Sequence, residues 1–157
     1  MELVVRGIGI KKKRSGDLTE RDVLDSARAA LKSAGLKIDP RNAHHIGLFI
    51  GTAFFNLQQR RKFFADYTKG GIRMVNPAEF PGTLISCLGS NICISLGIKG
   101  ANVTVSSGDS AGGDALVAAR YFLERNKKNI ALVVELAEKI VRAGEAQGKA
   151  STCRVFV

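Results

Sequence analysis

The side chains best placed to do chemistry in this sequence lie in one glycine- and serine-rich turn, Ser107-Gly108-Asp109-Ser110. A strand pattern over residues 102–106 precedes the turn, and a helical pattern over residues 110–125 follows it. At the tip of such a helix, unpaired N–H groups and the helix dipole favour negative charge or lower the pKa of a thiol. A nucleophile could therefore be activated here. Alternatively, the Asp109 carboxylate caps the helix, a role that typically stabilises by about 0.5–2 kcal/mol.

The other reactive side chains form no recognisable site. The three cysteines are odd in number and include no CxxC pair, so neither a disulfide framework nor a zinc site is predicted for Cys87, Cys93 and Cys153. We expect them to behave as small buried hydrophobic residues. The two histidines, His44 and His45, precede a predicted strand and are expected in a surface loop. No metal and no cofactor is predicted.

The formal charge of +10 favours acidic partners, such as nucleic acid, anionic lipid or an acidic carrier protein. The basic clusters are Lys11 to Arg14, Arg60-Arg61-Lys62 and Lys127-Lys128. Because neutral stretches separate them and no nucleic-acid motif accompanies them, solvated loops are favoured over a nucleic-acid-binding face. No stretch approaches the roughly 20 apolar residues that a membrane-spanning helix needs, and the first residues lack a secretory signal. We therefore expect a soluble, cytoplasmic protein.

Length and hydrophobic periodicity predict a single α/β domain over residues 1–157, since a chain with 45% hydrophobic residues can bury a core. Thr19 and Asp22 resemble a capping box, and they open a helix that ends near Gly35. The apolar run Ile46–Thr52 is typical of a buried parallel strand, and Leu57 to Tyr67 reads as an exposed basic excursion. The other predictions are strands over 3–10, 102–106, 130–135 and 152–157, a loop over 11–16, and helices over 81–96 and 110–125. This order implies a mixed, mainly parallel sheet with helices on its faces.

The segment 96–116 resembles the stretch around the nucleophile of the β-ketoacyl synthases, enzymes of the thiolase-like superfamily. The residues that carry the resemblance are Leu96, Gly97, Ile98, Lys99, Gly100, Asn102, Thr104, Ser106, Ser107, Gly112, Asp114, Ala115 and Leu116. The strand 46–52, the segments 75–77 and 81–83, and the stretch 131–138 are similar to further motifs of the same family. The resemblance covers most of the chain and implies a single thiolase-like half, βαβαβαββ, corresponding to the family's N-terminal half.

Two departures from the family pattern bear on activity. The position that the family fills with a nucleophilic cysteine is Asp109 here. A carboxylate is a poor acceptor for a thioester acyl group, because the mixed anhydride formed is less stable than the thioester consumed. The second half, which the resemblance implies would supply two catalytic histidines, is not within these 157 residues. Ordinary acyl transfer is therefore not expected.

The resemblance implies a non-catalytic subunit of fatty-acid or polyketide biosynthesis, similar in kind to the chain-length factors. Such a subunit would pair with itself or with an active synthase, through the helix 110–125 and a strand that includes Asn102, Thr104 and Ser106. Candidate contacts for an acidic acyl carrier protein are Arg60, Arg61, Lys62, Lys127 and Lys128. The alternatives are an acyl-thioester hydrolase, decarboxylase or acyltransferase whose site another chain completes, and a basic nucleic-acid-binding module.

Overall fold

The computed structural model describes residues 4–13, 18–138 and 151–157, which form a five-stranded sheet with helices on both faces. The elements in chain order are β1 (Ile8–Lys13), α1 (Glu20–Ser33), β2 (Ile46–Thr52), α2 (Leu57–Gly70), α3 (Cys87–Leu96), β3 (Asn102–Val105), α4 (Ala111–Arg125), β4 (Ile130–Glu138) and β5 (Ser151–Phe156). Among the described residues, no helix is both long and apolar enough to cross a bilayer.

The sheet is mixed and follows the order β1-β5-β4-β2-β3. β2 pairs in parallel with β3 and β4, whereas β5 pairs antiparallel with both β4 and β1. β1 to β4 therefore run in one direction and β5 runs in the other. This arrangement confirms the predicted α/β class and the mixed, mainly parallel sheet.

One face of the sheet, the closed face, is covered by α1 and α3. The main apolar core lies there, and it includes Val23, Ala27, Leu88, Ile92, Leu48, Ile50, Val134 and Val155, all almost fully buried. α1 approaches β1 very closely, because a Cβ atom at Gly9 would lie 2.0 Å from the carbonyl oxygen of Ser26. Glycine at this position therefore sets the distance between helix and strand.

The first turn of α1 is fixed to the end of β1 through Asp22. The predicted capping box is confirmed: the Asp22 carboxylate accepts from the backbone N–H of Thr19 at 2.9 Å and from its hydroxyl at 2.6 Å. The same carboxylate lies 2.7 Å from the ammonium of Lys13. Burial raises the pKa of Asp22, but the hydrogen bonds from Lys13 and Thr19 outweigh that effect and hold the pKa well below its ordinary range.

The other face, the open face, carries α4, which packs on β2, β4 and β3. A smaller core forms there, in which the ring centroids of Phe49 and Phe122 are 5.5 Å apart. Among the described residues, no helix covers the β1 side of this face in the same way, and Ile8 is 49% and Ile10 is 56% exposed.

Several predicted boundaries were wrong. β1 continues through Lys13, where a loop was expected, because Lys11 to Lys13 pair with β5 and Lys13 contacts Asp22. The predicted strand residue Leu3 and the predicted loop residues from Arg14 onward lie outside the described residues. The helix expected from Pro81 begins at Cys87, after short 3-10 turns, and β4 extends to Glu138 instead of ending at residue 135. The exposed basic segment predicted over Leu57 to Tyr67 is helical and forms most of α2. As predicted, none of its residues is buried.

Candidate functional site

The turn 107–110 lies where the sequence placed it, between β3 and α4. Gly108–Ser110 forms a short 3-10 turn, and Gly108 has a φ of +66°, a left-handed conformation that glycine adopts without strain. Because β2, β3 and β4 are parallel, their carboxyl ends meet at one edge of the sheet. The turn lies at that edge, where ligands bind in most open α/β sheets.

The start of α4 is held directly against β2. A Cβ atom at Gly51 would lie 2.1 Å from the carbonyl oxygen of Ala111, so only glycine permits this approach. Ala111 itself is buried, whereas Asp109 is exposed. This backbone contact therefore fixes the position of the helix tip. The conformation of the turn sets the direction of the Asp109 side chain.

A serine–aspartate cluster ties the turn to the helix. The Asp114 carboxylate accepts hydrogen bonds from the hydroxyls of Ser107 and of Ser110, the latter at 3.1 Å. The expected capping by Asp109 is wrong: the N-cap residue of α4 is Ser110, and no side chain supplies a capping hydrogen bond there. Asp114 was not predicted to hold the turn, although its spacing of four residues from Ser110 was a usable signal.

A cleft of about 170 Å³ opens beside the turn, lined by Asp109, Gly112 and Glu135 among others. Glu135 lies over the first turn of α4, because a Cβ atom at Gly112 would be 3.0 Å from a carboxylate oxygen of Glu135. Its other carboxylate oxygen accepts from the Arg154 guanidinium at 2.8 Å, across the β4–β5 pair. Sequence reasoning missed Glu135, although a charged residue inside an apolar strand marked it.

None of the three cysteines lines the cleft beside the turn. Cys93 and Cys153 are buried, and burial raises the pKa of each thiol to about 11. Cys87 is the first residue of α3. His44 and His45 lie in a 3-10 turn before β2, at the edge of the sheet opposite Asp109. No group of three or more metal-ligating side chains occurs within residues 4–13, 18–138 and 151–157.

The predicted basic contacts fall at opposite edges of the sheet. Arg60, Arg61 and Lys62 belong to the first half of α2, which follows the carboxyl end of β2 and so lies on the side of Asp109. Lys62 is already paired with Glu79 at 3.0 Å, and that hydrogen bond raises the pKa of Lys62. Lys127 and Lys128 precede β4 and lie at the amino edge. A partner that contacts the turn 107–110 would therefore reach the basic residues of α2 (the α2 cluster) before the two lysines that precede β4.

The predicted pairing strand, β3, is an edge strand of the sheet. Asn102 donates weakly to the Ser90 hydroxyl at 3.4 Å. The Thr104 hydroxyl oxygen is buried and has no hydrogen-bond partner among the described residues. Ser106 is exposed beyond the end of the strand. Among the described strands, β3 pairs with β2 alone, so the backbone groups along its other edge have no strand partner.

A thiolase-like α/β half with a glycine- and serine-rich turn at the tip of α4 is the class of protein that this fold defines. Residues 5–151 match the family model described as "Beta-ketoacyl synthase, N-terminal domain", so the chain belongs to that family. It is 26% identical over 105 residues to 3-oxoacyl-[acyl-carrier-protein] synthase 2 of Coxiella burnetii, an alignment that covers 67% of this chain. The chain spans about a quarter (25%) of the length of that relative.

Solved structures share the fold. The ketosynthase ApeO in complex with its chain length factor ApeC, from Xenorhabdus doucetiae, superposes with a TM-score of 0.64 at 12% identity, covering 89% of this chain and 57% of that one. A type II acyl-carrier protein in complex with its ketosynthase, AntDE:AntF, gives a TM-score of 0.64 at 16% identity, with coverages of 98% and 57%. At these identities the likeness establishes the fold alone.

Proposed function

We propose that this chain is a non-catalytic ketosynthase-like subunit of fatty-acid or polyketide biosynthesis, which pairs with itself or with an active synthase. The observation that carries the proposal is the carboxylate of Asp109 at the tip of α4, in the turn 107–110. A carboxylate that attacked a thioester would form a less stable anhydride and release a thiol, so the acyl group would not accumulate on the protein.

The surroundings of the turn support the same conclusion. Glu135 places a second carboxylate at the first turn of α4, and Arg154 holds it there. The described cysteines near the core are protonated at neutral pH, since the pKa of Cys93 and of Cys153 is raised to about 11. The cleft therefore contains no thiolate that could take the place of the family's nucleophile.

Thioester turnover tests the absence of chemistry. We expect the purified protein to release no thiol from an acyl thioester, alone or with a candidate partner chain, and Asp109→Ala to behave identically. The Asp109→Cys variant serves as a positive control for access, because a thiol at the helix tip should react with iodoacetamide faster than Cys87 does. Turnover that Asp109→Ala abolished would instead establish an enzyme whose site another chain completes.

Pairing is supported by the apolar surface that α4 leaves exposed. Val117 and Tyr121 are 53% and 66% exposed, lie one helical turn apart, and belong to the helix that follows the unpaired edge of β3. Apolar residues clustered in this way usually mark a protein interface. A protein of similar fold, the ketosynthase ApeO, is in complex with its chain length factor ApeC.

Sedimentation of the purified chain tests the pairing. We expect Val117→Glu with Tyr121→Glu to weaken self-association, or association with a synthase, by at least about tenfold while leaving the fold intact. The matched control is Ile94→Glu on α3, which is 80% exposed on the opposite face of the sheet. A strict monomer at high concentration that also captures no synthase would contradict the proposal.

An acidic carrier protein is proposed as a further partner, through the α2 cluster. Arg61 is exposed, whereas Lys62 is engaged by Glu79, so Arg61 should contribute the most free charge. We expect Arg61→Glu to weaken binding of an acyl carrier protein by about tenfold at low salt, and Lys127→Glu at the other edge to leave it nearly unchanged. Equal losses in the two variants would indicate nonspecific attraction to the net charge.

A further inference from the structure

A cavity lies at the amino edge of the sheet, far from the turn 107–110. This basic groove has a volume of about 350 Å³, and its sides are formed by the segment before β1, the end of α1, the end of α4 and the turn before β4. Small-molecule sites usually have volumes of about 300–1,000 Å³. The groove is therefore large enough for a small ligand.

The floor of the groove is apolar because both cores reach the surface there. Leu36 and Val157 pack against the core of the closed face, and Leu123 packs against the core of the open face. Each of these side chains is only partly buried. Val4 adds an apolar rim and is 70% exposed. A ligand lying in the groove would shield these side chains from water.

The rim of the groove is cationic. Arg6, Lys127 and Lys128 line it, and none of the described residues that line it has a carboxylate side chain. The carboxyl ends of α1 and α4 lie at the same edge and contribute about −0.5 charge each. The three side-chain cations outweigh the sum of about one unit of negative dipole charge and the one unit that a terminal carboxylate on Val157 would add. The electrostatic environment therefore favours an anion despite the helix termini.

We propose that the basic groove binds an amphiphile with an anionic head, a carboxylate or a phosphate, and a short apolar chain. The head would lie between Lys127, Lys128 and Arg6, while the chain would lie along Leu123 and Leu36. This inference is independent of the proposed function, since the groove and the Asp109 turn lie at opposite edges of the sheet.

Calorimetric titration with defined probes, each below its micellar concentration, tests the ligand class. We expect decanoate to bind, octanoate to bind about four- to sixteenfold more weakly because it lacks two methylenes, and decanol to bind at least about tenfold more weakly than decanoate because it lacks the charge. Decyl phosphate against decanoate distinguishes the two head groups, and inorganic phosphate alone should bind weakly. No heat with decanoate or decyl phosphate at millimolar concentration would overturn the proposal.

Variants on the groove test its location. Lys127→Glu combined with Lys128→Glu should weaken decanoate binding at least about tenfold, and Val4→Asp should weaken it by placing a carboxylate at the apolar rim. Arg61→Glu combined with Lys62→Glu, an equal charge change in the first half of α2 at the other edge, should leave binding unchanged. The proposal is overturned if the groove variants bind decanoate as tightly as the wild type does. It is also overturned if the only binding that these variants lose is that of an acidic carrier protein, because the groove would then be a site of protein contact.

Discussion

On the closed face of the sheet, α1 packs on β1, β5 and β4, and α3 packs on β2 and β3. Gly9 lets α1 approach the backbone of β1 closely. On the open face, α4 packs on β2, β3 and β4, and within the described part of the chain Ile8 and Ile10 of β1 remain about half exposed. The two faces of the sheet therefore differ in how completely helices cover them. We expect the closed face to determine the free energy of unfolding and the open face to determine what the chain binds.

The largest effect should come from filling the close approach on the closed face. Gly9→Val places side-chain atoms within 2.0 Å of the Ser26 carbonyl oxygen, a backbone atom that cannot move aside without shifting α1. We expect a loss of about 3 kcal/mol or more in the free energy of unfolding, measured by urea denaturation. Ile10→Val, on the open face of the same strand, should change it by less than about 0.5 kcal/mol. Similar losses in the two variants would remove the distinction between the faces.

The next effect concerns the link between β1 and α1. Asp22→Asn removes the charge that Lys13 and Thr19 stabilise, and we expect a loss of about 1–3 kcal/mol at neutral pH. Because the folded-state pKa of Asp22 is lowered, its contribution is fully present above the ordinary value of 3.8 and declines as the pH falls below it. Wild type and variant should therefore converge in stability in acid. Asp25→Asn, an exposed neighbour on α1, is the control, and a difference that persisted unchanged in acid would contradict the assignment.

Polar substitutions on the open face should separate stability from association. Ile8→Ser with Ile10→Ser is expected to lower the free energy of unfolding by less than about 1 kcal/mol, since both side chains are already about half exposed. The same variant should weaken self-association or synthase binding about fivefold or more in sedimentation experiments. If association is unaffected, the uncovered part of the sheet is not part of the interface, and α4 alone would carry it.

The smallest effect is expected at the cross-strand pair of the open face. Arg154→Ala removes the partner of Glu135, but Arg154 is 45% exposed and solvent screens the pair. We expect a change of about 0.5 kcal/mol or less in thermal or urea denaturation, comparable with Arg120→Ala at the helical pair Arg120–Glu124. A loss above about 2 kcal/mol would mean that the Glu135 carboxylate is buried more completely than its geometry indicates.

Local signals in the sequence predicted the elements that depend on neighbouring residues. The capping box at Thr19 and Asp22 and the strand Ile46–Thr52 were predicted correctly, because each is specified within a few residues. The position of the turn 107–110 was predicted from the strand and helix patterns that flank it and is confirmed. These features require no knowledge of distant contacts.

Features that depend on distant residues were missed. β1 reaches Lys13 because β5, which lies more than a hundred residues later, supplies its hydrogen bonds, and a lysine run by itself indicates a loop. Glu135 belongs to the candidate site only because β4 lies beside the first turn of α4 and Arg154 lies across from it. The cap expected from Asp109 was wrong for a local reason: Asp109 lies inside the 3-10 turn 108–110, and Ser110 is the N-cap residue of α4.

The contact between Gly51 and Ala111 has a consequence for how such a site can change. The close approach of Gly51 to the Ala111 backbone and the hydrogen bonds from Ser107 and Ser110 to Asp114 hold the tip of α4 on β2. None of these contacts uses the side chain at position 109. Exchanging that side chain, for a thiol, an amide or a carboxylate, alters reactivity without disturbing the framework. A scaffold of this kind can lose or regain its chemistry by replacement of one residue while its architecture stays the same.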